Sequence, residues 1–236
     1  MIENDDFINI FFIKKNRFLA TCFSRFDLTC LYKNEMILDD HQNDLKKNKF
    51  KNFLDDNVYK IEKNNKQFIR DINLVIDDDK FQTVNLCIKK NISGDLNFEK
   101  ERLNLISKIK NEIKLNYKEF SIIHILIKNY LVDGIDVKVE KSLVSKVCKD
   151  LSMEITFILM SSFNIIEYQK VFADYQISIN KIMSGQYIES YSQLEKVNDL
   201  DAALKVFLGN NPNEAIILSK KHENRGFFEK FFHLFS

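Results

Sequence analysis

The sequence predicts an α+β fold, and three observations carry that expectation. Strand-length apolar runs crowd the N-terminus, longer segments further on place apolar residues at helical spacing, and 45% of the 236 residues are hydrophobic, enough for a sizeable core. Phe7 to Ile13 and Phe18 to Phe23 are apolar runs separated by Lys14-Lys15-Asn16-Arg17, and Leu28 to Tyr32 with Met36 to Leu38 continues the pattern as an antiparallel meander. Phe50, Phe53, Leu54, Val58 and Ile61 then recur at helical spacing, giving a helix over Asp44 to Asn65. Strands follow at Ile72 to Ile76 and Val84 to Ile88, with Asp77-Asp78-Asp79 as a solvated turn between them, since no distant ligand set completes a metal site around that triplet.

Asn97 can cap a helix over Phe98 to Asn116, whose Leu103, Ile106, Ile109 and Ile113 form one stripe. Ser121 to Ile127 reads as a buried strand, Asp133-Gly134 as a turn and Met153 to Met160 as a long apolar strand. Asn164 with Glu167 makes a capping pair for a helix reaching Tyr175, and Ile177 to Ile182 makes a further strand. Two helices close the body, Gln186 to Lys196 and Asp199 to Leu208, the second framed by Asn198 as cap and Gly209 as stop, with Pro212 beyond.

Composition excludes several classes of function. Thirty-five basic against 34 acidic residues leave a formal charge of +1, so no overall field recommends nucleic acid as partner. The acidic start Met1-Ile2-Glu3-Asn4-Asp5-Asp6 lacks the basic, apolar layout of a signal peptide, and the body is expected in the cytoplasm. Cys22, Cys30, Cys87 and Cys148 form no CxxC pair and suit reduced structural thiols. The glycines Gly94, Gly134, Gly185, Gly209 and Gly226 are isolated, which argues against a phosphate cradle, and no cofactor is expected. His41 sits in a polar stretch, His124 in an apolar strand where it reads as a satisfied core histidine, and His222 and His233 lie near the C-terminus; none has the spacing of a metal or triad motif. No catalytic constellation emerges, and the chain is expected to be no enzyme.

The last ten residues carry five phenylalanines behind a basic stretch. With about 100° per residue, Phe227, Phe228, Phe231, Phe232 and Phe235 share one broad helix face. Such a segment is too short to span a bilayer but suits a helix lying in the interface plane, each buried phenylalanine contributing at most roughly 1.5–3 kcal/mol. Phe227, Phe228, Phe231, Phe232, Leu234 and Phe235 would enter the acyl boundary, and Lys220, Lys221, Arg225 and Lys230 would face anionic headgroups. The alternative is that this helix docks on the protein's own core.

One stretch resembles a known family. Ile123-His124-Ile125-Leu126-Ile127-Lys128-Asn129-Tyr130-Leu131-Val132-Asp133-Gly134 is similar to a "LHxIPxxYxVDG" segment of the FtsA family of bacterial cell-division proteins. Val58 to Lys63, Ile72 to Ile88, Leu151 to Met160 and Phe163 to Ile182 resemble that family's neighbouring elements in order, and Gly226-Phe227 resembles the start of its membrane-targeting helix. The resemblance implies a partial actin-like (ribonuclease H-like) subdomain at 1–70 and 163–210, an inserted strand-helix-strand-strand (SHS2) subdomain at 71–162, a linker at 211–226 and an amphipathic membrane-targeting helix at 227–236. The family's Asp-Ile-Gly-Thr phosphate loop is replaced by Ile13-Lys14-Lys15-Asn16-Arg17, and its second actin-like half has no counterpart between Ile182 and Phe227. The implied function is a non-enzymatic adaptor of cell division, peripheral on the inner face of the cytoplasmic membrane. Its implied partners are an anionic membrane surface, division proteins such as the tubulin-like division protein or a divisome membrane protein, and other copies of the chain. The alternative function is a pilus or secretion-system actin-like scaffold whose C-terminal helix docks a protein partner.

Overall fold

Strands buried on both faces read as unbroken apolar runs, and Phe7–Ile13 (β1) and Asp71–Ile76 (β4) are such runs. The computed structural model describes residues 6–38, 43–77, 81–91, 98–137 and 149–215. Its first sheet adds Arg17–Ser24 (β2) and Cys30–Ile37 (β3) to β1 through antiparallel pairing. Asn43–Asn65 (α1) then returns the chain so that β4 lies parallel to β1. A long excursion later, Ser178–Ser184 (β9) pairs parallel to β4, giving the five-stranded order β3-β2-β1-β4-β9.

Alternation along β1 separates two cores. Phe11 and Ile13 point to one face with Phe53, Leu54 and Ile61 of α1 and Phe172, whereas Ile10 and Phe12 point to the other with Tyr187, Ile188, Ala202 and Val206. On the first face Phe18 meets Phe50 edge-on at 4.9 Å and Phe11 meets Phe172 at 5.9 Å.

The excursion is a second, antiparallel sheet. Phe81–Asn91 (β5), Phe98–Asn116 (α2), Phe120–Val132 (β6), Ile135–Val137 (β7) and Asp150–Ser161 (β8) follow in the chain, and the strands order as β5-β8-β6-β7. Ile106, Ile109 and Ile113 of α2 cover Ile125, Ile127, Met153, Ile155 and Phe157 on one face. On the opposite face Leu126 and Ile158 pack into the body's second core, which seats this sheet on the first. Asp133 and Gly134, with φ of 51° and 78°, make the tight turn between β6 and β7, and Asp133 Oδ1 accepts the N–H groups of Lys149 and Asp150 at 2.8 Å. Ser162–Ala173 (α3) leads back to β9, and Gly185–Glu195 (α4) and Asp199–Phe207 (α5) cover the second face. Gly185 admits no side chain, because a Cβ there would lie 2.7 Å from Asp77 Cβ and 2.8 Å from its Cα.

Several expectations are corrected. Cys30–Ile37 forms one strand, β3, where two runs, Leu28 to Tyr32 and Met36 to Leu38, are expected, and Leu28, with φ of 59°, stays in the turn before it. Asn164 does not cap α3: the helix starts at Ser162, whose N–H donates to Glu119 O at 2.8 Å, so the end of the sheet supplies the acceptor a cap would offer, and Glu167 instead accepts from Lys170 at 3.0 Å. Asp71–Ile76 belongs to the first sheet, not to the insertion expected at 71–162, because its apolar run needs cover on both faces and finds it between β1 and β9. The segment expected as a linker from 211 begins with Asn211–Ala215 held against β6. Asn198 caps α5 as expected, its side chain accepting the Asp201 N–H at 2.9 Å. Asn97, His41, Cys148, His222, His233 and every residue proposed for membrane contact, Lys220, Lys221, Arg225, Phe227, Phe228, Lys230, Phe231, Phe232, Leu234 and Phe235, lie outside the described residues. Of the described cysteines, all free, Cys22 is buried, and burial raises its thiol pKa, while Cys30 and Cys87 are exposed on β3 and β5.

Candidate functional site

Two clusters of cations invite a ligand, and the structure treats them differently. The first is the β1–β2 hairpin. Lys14 Nζ pairs with Asp199 Oδ2, and Arg17 pairs with Glu35 at 2.8 Å and with Asp199 at 3.7 Å. Ser192 Oγ donates to the other Asp199 oxygen at 3.1 Å. Burial resists ionisation of Asp199, but the Lys14 hydrogen bond and the Lys14 and Arg17 charges prevail and hold its carboxyl below the usual value. An internal carboxylate thus holds both cations.

The second cluster lines a groove of about 670 Å³ between α2 and β6. Lys110 and Lys114 recur at helical spacing on α2, Lys118 follows in the turn to β6, and Lys181 of β9 stands with them among the lining residues. Phe120, Ile122, Ile123 and Ile125 supply apolar lining. Among the described residues, Lys110, Lys114 and Lys118 enter no ion pair. Burial lowers the Lys110 pKa, and the neighbouring Lys114 charge lowers it further.

The backbone of β6 is open along the same groove. One side of β6 pairs with β8, with register shifts at Ile123 and Lys128; the other pairs with β7 at Tyr130–Val132 and with the chain near Glu214 at Ile125–Ile127. Over Phe120–His124 that second side has no strand partner among the described residues. An edge of this kind can accept an extended peptide, with backbone pairing giving affinity and neighbouring pockets giving selectivity.

A buried polar latch fixes the groove's inner wall. His124 Nε2 accepts the Ser184 N–H at 3.0 Å, which places the ring proton on Nδ1, where it donates to Glu214 Oε1 at 2.7 Å. Tyr187 Oη donates to Glu214 Oε2 at 3.1 Å, and Asn211 Nδ2 donates to Tyr187 Oη. Lys181 Nζ stands 3.8 Å from Glu214 and donates to Val206 O at 3.0 Å. Burial pushes the His124 pKa down despite the adjacent carboxylate, so the ring is neutral. Burial opposes ionisation of Glu214, yet its bond to His124, the Lys181 charge and the Tyr187 hydroxyl keep its pKa below the ordinary value. The latch joins three parts of the chain: the inserted sheet through His124, the β9–α4 junction through Ser184, and the segment after α5 through Glu214.

His124 is the satisfied core histidine that its apolar strand suggested. Sequence reading missed the groove. Its one visible trace is the spacing of four that relates Lys110, Lys114 and Lys118; Lys181 and Glu214 arrive from elsewhere in the chain without any local signal. No cluster of His, Cys, Asp or Glu among the described residues could hold a metal ion.

The mixed sheet of order β3-β2-β1-β4-β9, covered by helices on both faces and interrupted by a second sheet before its last strand, defines the class: an α+β protein. No protein-family model matches the sequence, and no curated protein matches it. Solved structures similar to it include the cytoplasmic domain of EpsL, an inner-membrane component of the type II secretion system of Vibrio cholerae, at 6% identity and TM-score 0.33 over 76% of this chain and 57% of that one. A second is the PilM–PilN type IV pilus biogenesis complex, at 3% identity and TM-score 0.46 over 80% of this chain and 50% of that one. A third is a protein of actin-like ATPase fold and unknown function from Bacteroides thetaiotaomicron, at 12% identity and TM-score 0.36 over 81% and 59%. The chain thus spans 50–59% of the length of these structures. No described helix is long and apolar enough to cross a membrane.

Proposed function

We propose that this chain is a non-enzymatic scaffold whose groove between α2 and β6 docks an extended, acidic segment of a protein partner. The observation that carries this reading is the coincidence of a strand edge at Phe120–His124 with apolar lining and a row of lysines, the edge without a strand partner and the lysines without an ion pair among the described residues. The phosphate-loop position supports the non-enzymatic part, because Asp199 already holds the cations that would meet a nucleotide. The proposal places the partner in a membrane-associated assembly of pilus or secretion type, the systems named for the PilM–PilN and EpsL structures. A fluorescein-labelled peptide of alternating valine and glutamate is the probe. Fluorescence polarisation should show saturable binding to the full chain, weakened about tenfold or more by Lys110→Glu with Lys114→Glu, while an alternating valine–lysine peptide stays free. No binding of the acidic peptide, or equal binding by the double variant, would sink the reading.

A second reading keeps the scaffold but assigns it to cell division in the manner of FtsA, with the inserted unit as its SHS2 subdomain and the phenylalanine tail as its membrane tether. It is favoured by the strand, helix, strand, strand order of β5, α2, β6 and β8, with only the three-residue β7 between the last two, joined in one chain with the Phe227–Phe235 pattern. Vesicles rich in phosphatidylglycerol should sediment the full chain and leave Phe231→Asp with Phe232→Asp in the supernatant. Unchanged sedimentation of that variant removes the tether.

A further inference from the structure

The first sheet ends in β3, which pairs only with β2 among the described residues, so the other side of this strand is open backbone. Leu38 N–H donates to Asn16 O at 2.7 Å, and the alternation of an antiparallel pair then aims the backbone groups of Met36 and Asn34 at Phe18 and Ala20. Lys33, Glu35 and Ile37 aim theirs at the open side. The β2 register skips Leu31, so the regular edge runs from Tyr32 to Ile37. Natural edges are commonly guarded by proline, by lysine or by inward-pointing charge. This one reads Tyr32-Lys33-Asn34-Glu35-Met36-Ile37, and its one lysine is balanced by a glutamate two residues on. Lys33 is exposed and enters no ion pair among the described residues, while Glu35 accepts from Arg17 at 2.8 Å and stays partly exposed.

That pattern is complementary to itself. A second copy running antiparallel exchanges hydrogen bonds only if outward-facing residues meet outward-facing residues. With a two-fold axis at Asn34, Lys33 lies opposite Glu35 of the second copy and Glu35 lies opposite its Lys33. Moving the axis one residue either way sets Lys33 against Lys33 or Glu35 against Glu35. The Asn34 axis also lays Tyr32 across from Met36 and brings Ile37, 77% exposed, to the strand end that carries Leu31, 47% exposed. We propose that two copies of this chain join through β3 about that axis, Lys33 of each pairing with Glu35 of the other. Such a contact uses the same surface on both copies and closes at the dimer. The strand is short, so the dimer is reversible and depends on concentration. It is independent of the docking reading, whose strand edge belongs to the other sheet.

Exchanging the charge pair between copies supplies the test. Sedimentation equilibrium of the full chain at rising concentration should show monomer passing to dimer. Lys33→Glu and Glu35→Lys should each weaken dimerisation about tenfold or more, because each sets like charges opposite one another twice. An equimolar mixture of the two variants should dimerise again, since the mixed pair has opposite charges at both positions. In wild type the Lys33 and Glu35 amides should gain protection from hydrogen exchange as dimer forms, while the Asn34 amide, already bonded to β2, stays protected throughout. A wild-type chain that remains monomeric overturns the proposal, and so does a dimer that neither variant weakens. A mixture no stronger than its components assigns the loss to local damage and overturns it too, as does a dimer that leaves the Lys33 and Glu35 amides unprotected.

Discussion

At the β1–β2 hairpin two cations converge on one carboxylate, whereas along α2 a row of lysines faces a groove whose one lining carboxylate is already committed. Lys14 and Arg17 share Asp199, and Arg17 adds Glu35. In the groove, Glu214 answers His124, Tyr187 and Lys181, leaving Lys110, Lys114 and Lys118 without an ion pair among the described residues. The closed corner gains a little stability and offers little to a ligand. Burial first and the Lys114 charge second lower the Lys110 pKa, and an anionic partner would relieve the cost of that like-charge contact. Two corners of similar composition therefore differ in what they can bind, and the difference lies in where the carboxylates fall.

The sharpest way to break the comparison is to remove the latch that keeps Glu214 committed. His124 is fully buried, and the Glu214 side chain is only 5% exposed. His124→Leu would leave a buried carboxylate short of its ring donor and the Ser184 N–H without an acceptor. A loss of roughly 3–5 kcal/mol is expected, read from the midpoint and slope of denaturant unfolding. A loss below about 1 kcal/mol would mean that water or rearrangement serves Glu214 as well as His124 does.

Acid tests the same contact without a mutation. Because folding holds the His124 pKa below its ordinary 6.5, the unfolded chain takes up a proton that the folded chain refuses. The contribution is intact above about pH 6.5 and declines with acid by up to about 1.4 kcal/mol per pH unit until the folded-state value is reached. Glu214 adds to this only lower down: its carboxyl is depressed, so its share is present above the ordinary 4.5 and is lost as the pH falls through the folded value. His124→Leu should flatten the decline between about pH 6.5 and 5 and also weaken the lower one, because the His124 bond leads the effects that depress the Glu214 carboxyl. An unchanged slope would place the titrating group elsewhere.

These features differ in how far the sequence announces them. Strands such as Phe7–Ile13 and helices such as Phe98–Asn116 were legible because local periodicity decides them. Partnership was not. Ile72 to Ile76 and Val84 to Ile88 look like successive strands of one hairpin, yet β4 and β5 enter different sheets, because β4 needs cover on both faces and β5 does not. Asn164 and Glu167 fit a capping pattern that Glu119 O made unnecessary. The latch joins residues 60 and 90 positions from His124, a separation at which no pattern in a single sequence points from one partner to the other. Asn213–Ala215 looks like tether by composition, and only its pairing with Ile125–Ile127 shows that it is structural.

The smallest expected effect falls at the closed corner and sharpens the contrast most directly. Asp199→Ala removes an ion pair whose Lys14 and Asp199 side chains are 15% and 29% exposed, together with an acidic first-turn residue of α5. Partly solvated pairs and first-turn charges are each worth at most about 1 kcal/mol, so a fall in stability of about that size is expected. Its second consequence is qualitative. With Asp199 gone, Lys14 loses its counter-ion and Arg17 keeps only Glu35, so an anion from solution could take the vacant place. Thermal unfolding in sodium phosphate against sodium chloride at matched ionic strength should then show a larger phosphate-induced stabilisation in Asp199→Ala than in wild type. If wild type gains as much, the corner is not closed by Asp199.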